Sequence, residues 1–200
     1  MSTIKTNQLA HTANGAATYT LPQTDGSAGQ VLQTNGSGVL SWVTLPTAGI
    51  TMADQWRNTG NFNSQNEVIS FNWERVDTNF SQIGTGMSYS SGIFSFPQTG
   101  IYFVEFHAQM YLASAAARYI GINLQVTENN SSYTTRAEGY GNVSNNSTSY
   151  TQAEVKYILD VPDISNVKVR FRSDSETTVS YAGSSDENRT VATFIRLGDT

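Results

Sequence analysis

The chain has 200 residues, enough for one well-buried core with an appendage or for two small domains. Its net charge of −5 argues against a nucleic-acid or anionic-membrane partner, and the absence of cysteine removes disulfides and thiolate metal sites. Charged residues are only 14% of the chain while Gly, Ser, Thr and Asn are plentiful, a profile that fits an all-β protein with polar turns.

The first residues, MSTIKTNQLAHTANG, lack the apolar stretch of a secretory signal. No apolar run approaches membrane-spanning length, so membrane insertion is not expected. Asn-x-Ser/Thr triplets, such as those at Asn129, Asn145 and Asn188, read as products of an Asn/Ser-rich composition rather than glycan sites.

Residues 1–50 differ from the rest. YTLP at Tyr19–Pro22 recurs as VTLP at Val43–Pro46, and the turn module at Thr24–Gly29 is echoed at Thr34–Gly38. Asp25-Gly26 and Asn35-Gly36 are strong type I′ hairpin signals, which predict short strands at Gln30–Gln33 and Val39–Thr44. One such copy buries too little to be stable alone. Leu21, Val31, Leu32, Leu40, Trp42 and Val43 are too apolar for a Gly/Ser linker meant to stay in water. This arm is therefore expected to order by trimerising with its copies or by docking on another protein.

From Ile50 onward strands follow one another closely. They are expected at Met52–Arg57, Val68–Val76, Met87–Phe96, Ile101–Ala113, Arg118–Glu128, Tyr133–Gly139, Thr148–Val161, Asn166–Ser173, Thr177–Tyr181 and Val191–Leu197. Ala113–Ala117 is alanine-rich but too short for a helix, and reads as a strand end and its turn.

The most informative stretch is Ser91–His107, where Gly92, Phe94, Pro97, Gly100 and Tyr102 form a Gly-x-Phe-x-x-Pro-x-x-Gly-x-Tyr pattern. It implies two strands with a tight corner at Pro97–Gly100. The pattern resembles that of the globular head of complement C1q and its relatives, the C1q/tumour-necrosis-factor-like jelly rolls. The resemblance runs from about Gln55 to Leu197 and is strongest at Gly92–Phe106. It implies an all-β jelly-roll head over residues 51–200, acting as a homotrimer, preceded by the β-rich arm of residues 1–50. Separately, GQVLQTNGSGVLSWV resembles segments common in structural proteins of tailed bacteriophages, cyanophages especially. That likeness implies virion docking through Leu21, Val31, Leu32, Leu40 and Trp42.

In such jelly rolls one sheet faces the threefold axis. Tyr102, Val104, Phe106, Ala108 and Met110 form the core face of their strand, and Ile101, Phe103, Glu105, His107, Gln109 and Tyr111 the opposite one. The second set is too apolar for solvent and too polar for a core. It suits an interface between identical subunits, with an ordinary solvated sheet face as the bland alternative. Val167, Val169 and Phe171 oppose Lys168, Arg170 and Arg172. Val191, Thr193, Ile195 and Leu197 likewise oppose Ala192, Phe194 and Arg196. Glu105 is expected to meet Arg170 or Arg196, within or across subunits, while Phe103, Tyr111 and Phe194 supply apolar contact.

No catalytic constellation stands out, and no enzyme is expected. His11 lies in the arm, and His107 reads as a structural histidine at an interface. The Gly84/Gly86 and Gly139/Gly141 pairs lack the context of a phosphate loop. Asp174-Ser175-Glu176 and Asp186-Glu187 match no calcium-loop spacing, although some C1q-like relatives bind calcium; no metal and no cofactor is expected. Thr127–Thr151 interleaves Tyr133, Tyr140 and Tyr150 with small polar residues, the mix used by antibody loops. It is the candidate receptor loop, with a host surface glycan as ligand, set against a plain exposed loop pair.

The leading expectation is a phage virion protein, assembled in the host cytoplasm. It would be a trimeric short fibre or decoration protein docked by its arm to a capsid, neck or tail protein. The alternatives are a tail-fibre tip that binds the host and a bacterial C1q-like adhesin.

Overall fold

The structure, a computed structural model, describes residues 6–10, 18–45, 49–144 and 147–200. His11, Pro46 and Asn145 lie outside the described residues. The chain forms two compact units, Met1–Gly49 and Ile50–Thr200, and no helix occurs among the described residues.

In the first unit β1 (Gln8–Ala10) pairs with β2 (Thr18–Thr20), and β3 (Gln30–Thr34) pairs with β4 (Leu40–Thr44). The Asn35-Gly36 module does close a hairpin, but not as the expected type I′ turn. Thr34 pairs with Leu40 across a longer loop, and the positive φ values fall on Gly36 and Gly38 rather than on Asn35. Asn35 instead accepts the backbone N–H groups of Ser37 and Val39 at 2.8 and 3.1 Å through Oδ1, an Asx-type closure. Asp25-Gly26 makes no hairpin. A Cβ on Gly26 would lie 2.6 Å from the Trp42 ring, and the Trp42 indole N–H donates to the Thr24 carbonyl at 2.8 Å. This segment is folded against the tryptophan.

The second unit contains β5 (Ala53–Asn58), β6 (Phe62–Ser64), β7 (Trp73–Arg75), β8 (Ser88–Ser90), β9 (Ile93–Ser95) and β10 (Gly100–Ala113). It continues with β11 (Ala117–Thr127), β12 (Thr134–Val143), β13 (Thr148–Val161), β14 (Lys168–Ser175), β15 (Val179–Tyr181) and β16 (Thr190–Gly198). Two antiparallel sheets result. In the front sheet β10 pairs along its whole length with β13, from Gly100↔Val161 to Ala113↔Thr148. Its other edge takes β16 and then β15; β16 continues to β5 and β7, and β15 to β6. The back sheet has the order β12-β11-β14-β9-β8.

The core follows the alternation of the strands. Tyr102, Val104, Phe106, Ala108 and Met110 on β10 are fully buried, as are Val169 and Phe171 on β14. The sheets interlock through aromatics. Phe106 stacks on Phe171 with ring centroids 4.3 Å apart, and Phe94 meets Phe194 at 5.2 Å. Each buried phenylalanine contributes roughly 1.5–3 kcal/mol. The buried Tyr181 hydroxyl joins the layers by donating to the Gly121 carbonyl at 2.8 Å.

Three differences from the expected strands have local causes. Met87–Phe96 is a hairpin rather than one strand, because Ser91 and Gly92 take φ values of 50° and 87° and form the two-residue turn between Ser90 and Ile93. Val68–Val76 is broken: Val68 makes only a bridge to Arg172, and the chain turns at Asn72 (φ 58°) before β7. The strand expected to end at Gly139 runs on to Val143, where β12 pairs with β11.

Candidate interaction surfaces

The outward face of the front sheet carries Phe103, Glu105, His107 and Tyr111 of the residues expected at a subunit interface. Cross-strand register sets Phe103 between Ile158 on β13 and Ile195 on β16. Ile158 is 62% exposed, and Phe103 and Ile195 are half-buried. Beside them Ala53, Gln55, Phe80, Thr193 and Ile195 help line a cleft of about 310 Å³. Further along β10, Tyr111 meets Tyr150 with ring centroids 5.2 Å apart, and Tyr150 is 63% exposed.

Between these apolar ends lies a polar quartet. Lys156 Nζ is 3.3 Å from Glu105 and 3.1 Å from Glu154, and His107 is the cross-strand partner of Glu154. A hydrogen bond with Glu154, then burial, raises the Glu105 carboxyl above its ordinary range, while the bond with Glu105 holds Glu154 below its own. Burial lowers the His107 imidazole, opposed by the Glu154 charge.

Three of the expected interface residues are elsewhere in the subunit. Phe194 is fully buried between the sheets, because Ala192 and Phe194 are the inward phase of β16, so it has no surface to offer. Arg170 lies on the back sheet, where its Nε donates to Gln125 at 2.8 Å and its guanidinium sits 3.9 Å above the Tyr133 ring. It is therefore on the other layer from Glu105. Arg196 closes the Pro97–Gly100 corner, donating to the Thr99 carbonyl at 2.9 Å and contacting Asp199. The cation that reaches Glu105 within the subunit is Lys156. The sequence reading missed Lys156, Glu154, Ile158 and Ile195. Ile158 had a signal, since it is apolar at an outward position of a strand whose inward phase carries Val155, Leu159 and Val161.

The receptor tyrosines do not converge on one loop. Tyr140 is on strand β12, Tyr133 leans under Arg170 on the back sheet, and Tyr150 is on the front sheet. Tyr140 lies across Gly121, whose Cβ would come 2.5 Å from its ring, and its hydroxyl donates to Asp174 at 2.7 Å. Tyr119, which the sequence did not single out, stands edge-on to it.

In the first unit Val31, Leu32 and Trp42 are exposed, and Leu21 and Leu40 half-buried. The acidic loops are occupied by ion pairs, Glu176 with Arg118 and Glu187 with Arg189, both at 2.7 Å. Among the described residues no cluster of three or more His, Asp or Glu has a metal-holding arrangement, and no helix is long and apolar enough to cross a membrane.

No family model and no curated protein matches the sequence. Solved structures do match. Eiger TNF from S. frugiperda aligns over 76% of this chain and 96% of that chain, with a TM-score of 0.60 and 13% identity. Murine APRIL at pH 5.0 aligns over 73% and 98%, with a TM-score of 0.55 and 13% identity. The sandwich is a C1q/TNF-like jelly roll. At these identities the likeness is one of fold. The globular domain of zebrafish complement 1qA protein also aligns over 74% and 98% at 13% identity, but its TM-score of 0.45 adds nothing to the assignment. In the jelly roll of this chain the Ser91-Gly92 turn joins β8 to β9 within the back sheet and the Pro97–Gly100 corner carries the chain on to β10 in the front sheet, which is how the Gly-x-Phe-x-x-Pro-x-x-Gly-x-Tyr pattern encodes the sandwich.

Proposed function

We propose that the jelly roll assembles as a homotrimer through the outward face of its front sheet. The chain then serves as a non-enzymatic virion structural protein, a short fibre or decoration whose first unit docks on a capsid, neck or tail protein. The observation that carries self-association is the exposed Ile158 beside Phe103 and Ile195, an apolar patch flanked by a polar quartet on the same outward face, which a ring of identical subunits would cover. The virion reading draws its support from the phage-like GQVLQTNGSGVLSWV module and from the exposed Val31, Leu32 and Trp42 of that hairpin.

Sedimentation of the purified chain tests the first part: a trimer mass at micromolar concentration is expected, and a monodisperse monomer overturns it. Immunogold labelling of particles tests the second. Label over the capsid or neck supports decoration, and unlabelled particles overturn the virion role. Label at the tail tip supports the alternative, a host-binding fibre tip, which the exposed Tyr140 on the back sheet favours.

A further inference from the structure

The back sheet holds a corner that neither self-association nor docking uses. Its two walls are Tyr119 and Tyr140, with ring centroids 5.9 Å apart and planes at 84°. Both rings are open to solvent, 38% and 47% exposed, and with Asp174 they line an open pocket of about 310 Å³. Three backbone features build it. Tyr119 stands two residues before Gly121, on the same outward face of β11, and Gly121 pairs with Tyr140. Gly121 has no side chain, so the Tyr140 ring can fold flat across β11. Asp174 on β14 is the cross-strand partner of that glycine, so its carboxylate stands at the far end of the ring.

The polar groups of the corner are acceptors. Asp174 Oδ2 receives the Tyr140 hydroxyl at 2.7 Å and the Asn123 amide at 3.0 Å, and Oδ1 has no hydrogen bond among the described residues. Glu138, two residues before Tyr140 on the same face, accepts weakly from that hydroxyl at 3.3 Å, and its Oε1 is also open. Neither carboxylate is in an ion pair among the described residues. The nearby cations are committed elsewhere, Arg118 to Glu176 and Arg172 to the Asn66 carbonyl at 2.7 Å. The Tyr140 hydroxyl is already donated. A neutral sugar needs several donors as well as acceptors, and beyond the Tyr119 hydroxyl the polar groups facing this corner are carboxylates. Two π faces at right angles with two uncompensated carboxylates match a cation with an apolar skin instead.

We propose that the Tyr119–Tyr140–Asp174 corner binds an alkylammonium group, such as a choline headgroup or a lysine side chain of a partner. The cation lies against the Tyr140 face, Tyr119 closes its side, and Asp174 and Glu138 supply the opposite charge. The site is on the back sheet and does not depend on trimer assembly or on where the protein sits.

The test is an NMR titration of the tyrosine ring resonances of the full chain at constant ionic strength. Choline is the first probe, and its neutral isostere 3,3-dimethylbutan-1-ol the control. Saturable shifts of Tyr119 and Tyr140 with choline are expected, weakened about tenfold in Asp174→Asn and in Tyr119→Ala, with little response to the alcohol. Both variants lie at the surface, and an unchanged amide spectrum elsewhere reports an intact fold. The absence of saturable shifts, equal binding of the alcohol, or full affinity in both variants overturns the proposal. Phosphocholine and Nα-acetyl-lysine methylamide then separate the sources: tighter phosphocholine binding assigns a headgroup ligand, and tighter binding of the lysine derivative assigns a protein side chain.

Discussion

Arg75 grips the fully buried carboxylate of Asp54 with its Nε at 3.0 Å and Nη2 at 3.2 Å, while its guanidinium lies 4.8 Å from the Trp56 ring centre. Asp54 also accepts the Met87 backbone N–H at 2.7 Å and the Trp56 indole N–H at 2.9 Å. This carboxylate therefore ties β5, β7 and the approach to β8 together. Asp54→Ala strands a cation and two N–H groups, and is expected to cost about 3–5 kcal/mol. Urea unfolding monitored by tryptophan fluorescence reads this directly; a loss below 1 kcal/mol on the order of a surface change would contradict it.

Phe103 and Ile158 are cross-strand partners on the outward front sheet. Ile158→Lys and Phe103→Ala are each expected to weaken trimer contacts by about 2 kcal/mol or more per interface. Equilibrium sedimentation at several loadings should show a shift toward monomer with an unchanged circular dichroism spectrum. A trimer as tight as that of the parent would remove these two residues from the contact.

The quartet on the same face gives a pH response. His107 is flanked by Glu154 on β13 and Val191 on β16, with Glu105 two residues before it and Lys156 beside Glu105. Its folded pKa is lowered, so its contribution to stability is full above the ordinary imidazole value of about 6.5. That contribution is lost as the pH falls from there through the depressed value. Glu105 is raised and acts in the opposite sense: acidification through its raised value favours the folded state. His107→Gln should flatten the fall in melting temperature just below neutrality and leave the more acidic limb in place. An identical pH profile in the variant would exclude His107 as its origin.

Gly92 holds the β8–β9 turn at a φ of 87°, and a Cβ there would sit 2.8 Å from the Val68 side chain. Gly92→Ala combines left-handed strain of about 1–2 kcal/mol with that clash. Chemical denaturation should show a loss at the upper end of that range or beyond, and Val68→Ala should recover part of it. Full additivity of the two losses would show that the clash plays no part.

Much of the jelly roll was legible because β10, β13 and β14 each carry strict alternation over a core that spans both sheets. Thr148–Val161 and the core phase of β10 stand as read. The misplaced interface residues share one cause. Alternation tells which residues share a face of a strand but not which layer the strand joins or which face turns inward, so Arg170, one of the two expected partners of Glu105, lies on the other layer, and Phe194 belongs to the inward phase of β16. Tyr119 escaped notice because its nearness to Tyr140 depends on the pairing of Gly121 with Tyr140, which the pattern of neither strand alone reveals. The short strands β6 and β7 are held by partners far along the chain, β15 and β5, rather than by their own pattern.

β16 lies between β10 and β5, with Phe194 opposite both Val104 and Asp54. The front sheet thus has a slot that only the last strand of the jelly roll fills. Every earlier strand of the head precedes residues 190–198, so the front sheet closes only through contacts between segments far apart along the chain. Such long-range closure is slow, and until it happens the facing edges of β10 and β5 are left unpaired, the kind of exposed edge that invites mispairing with another chain.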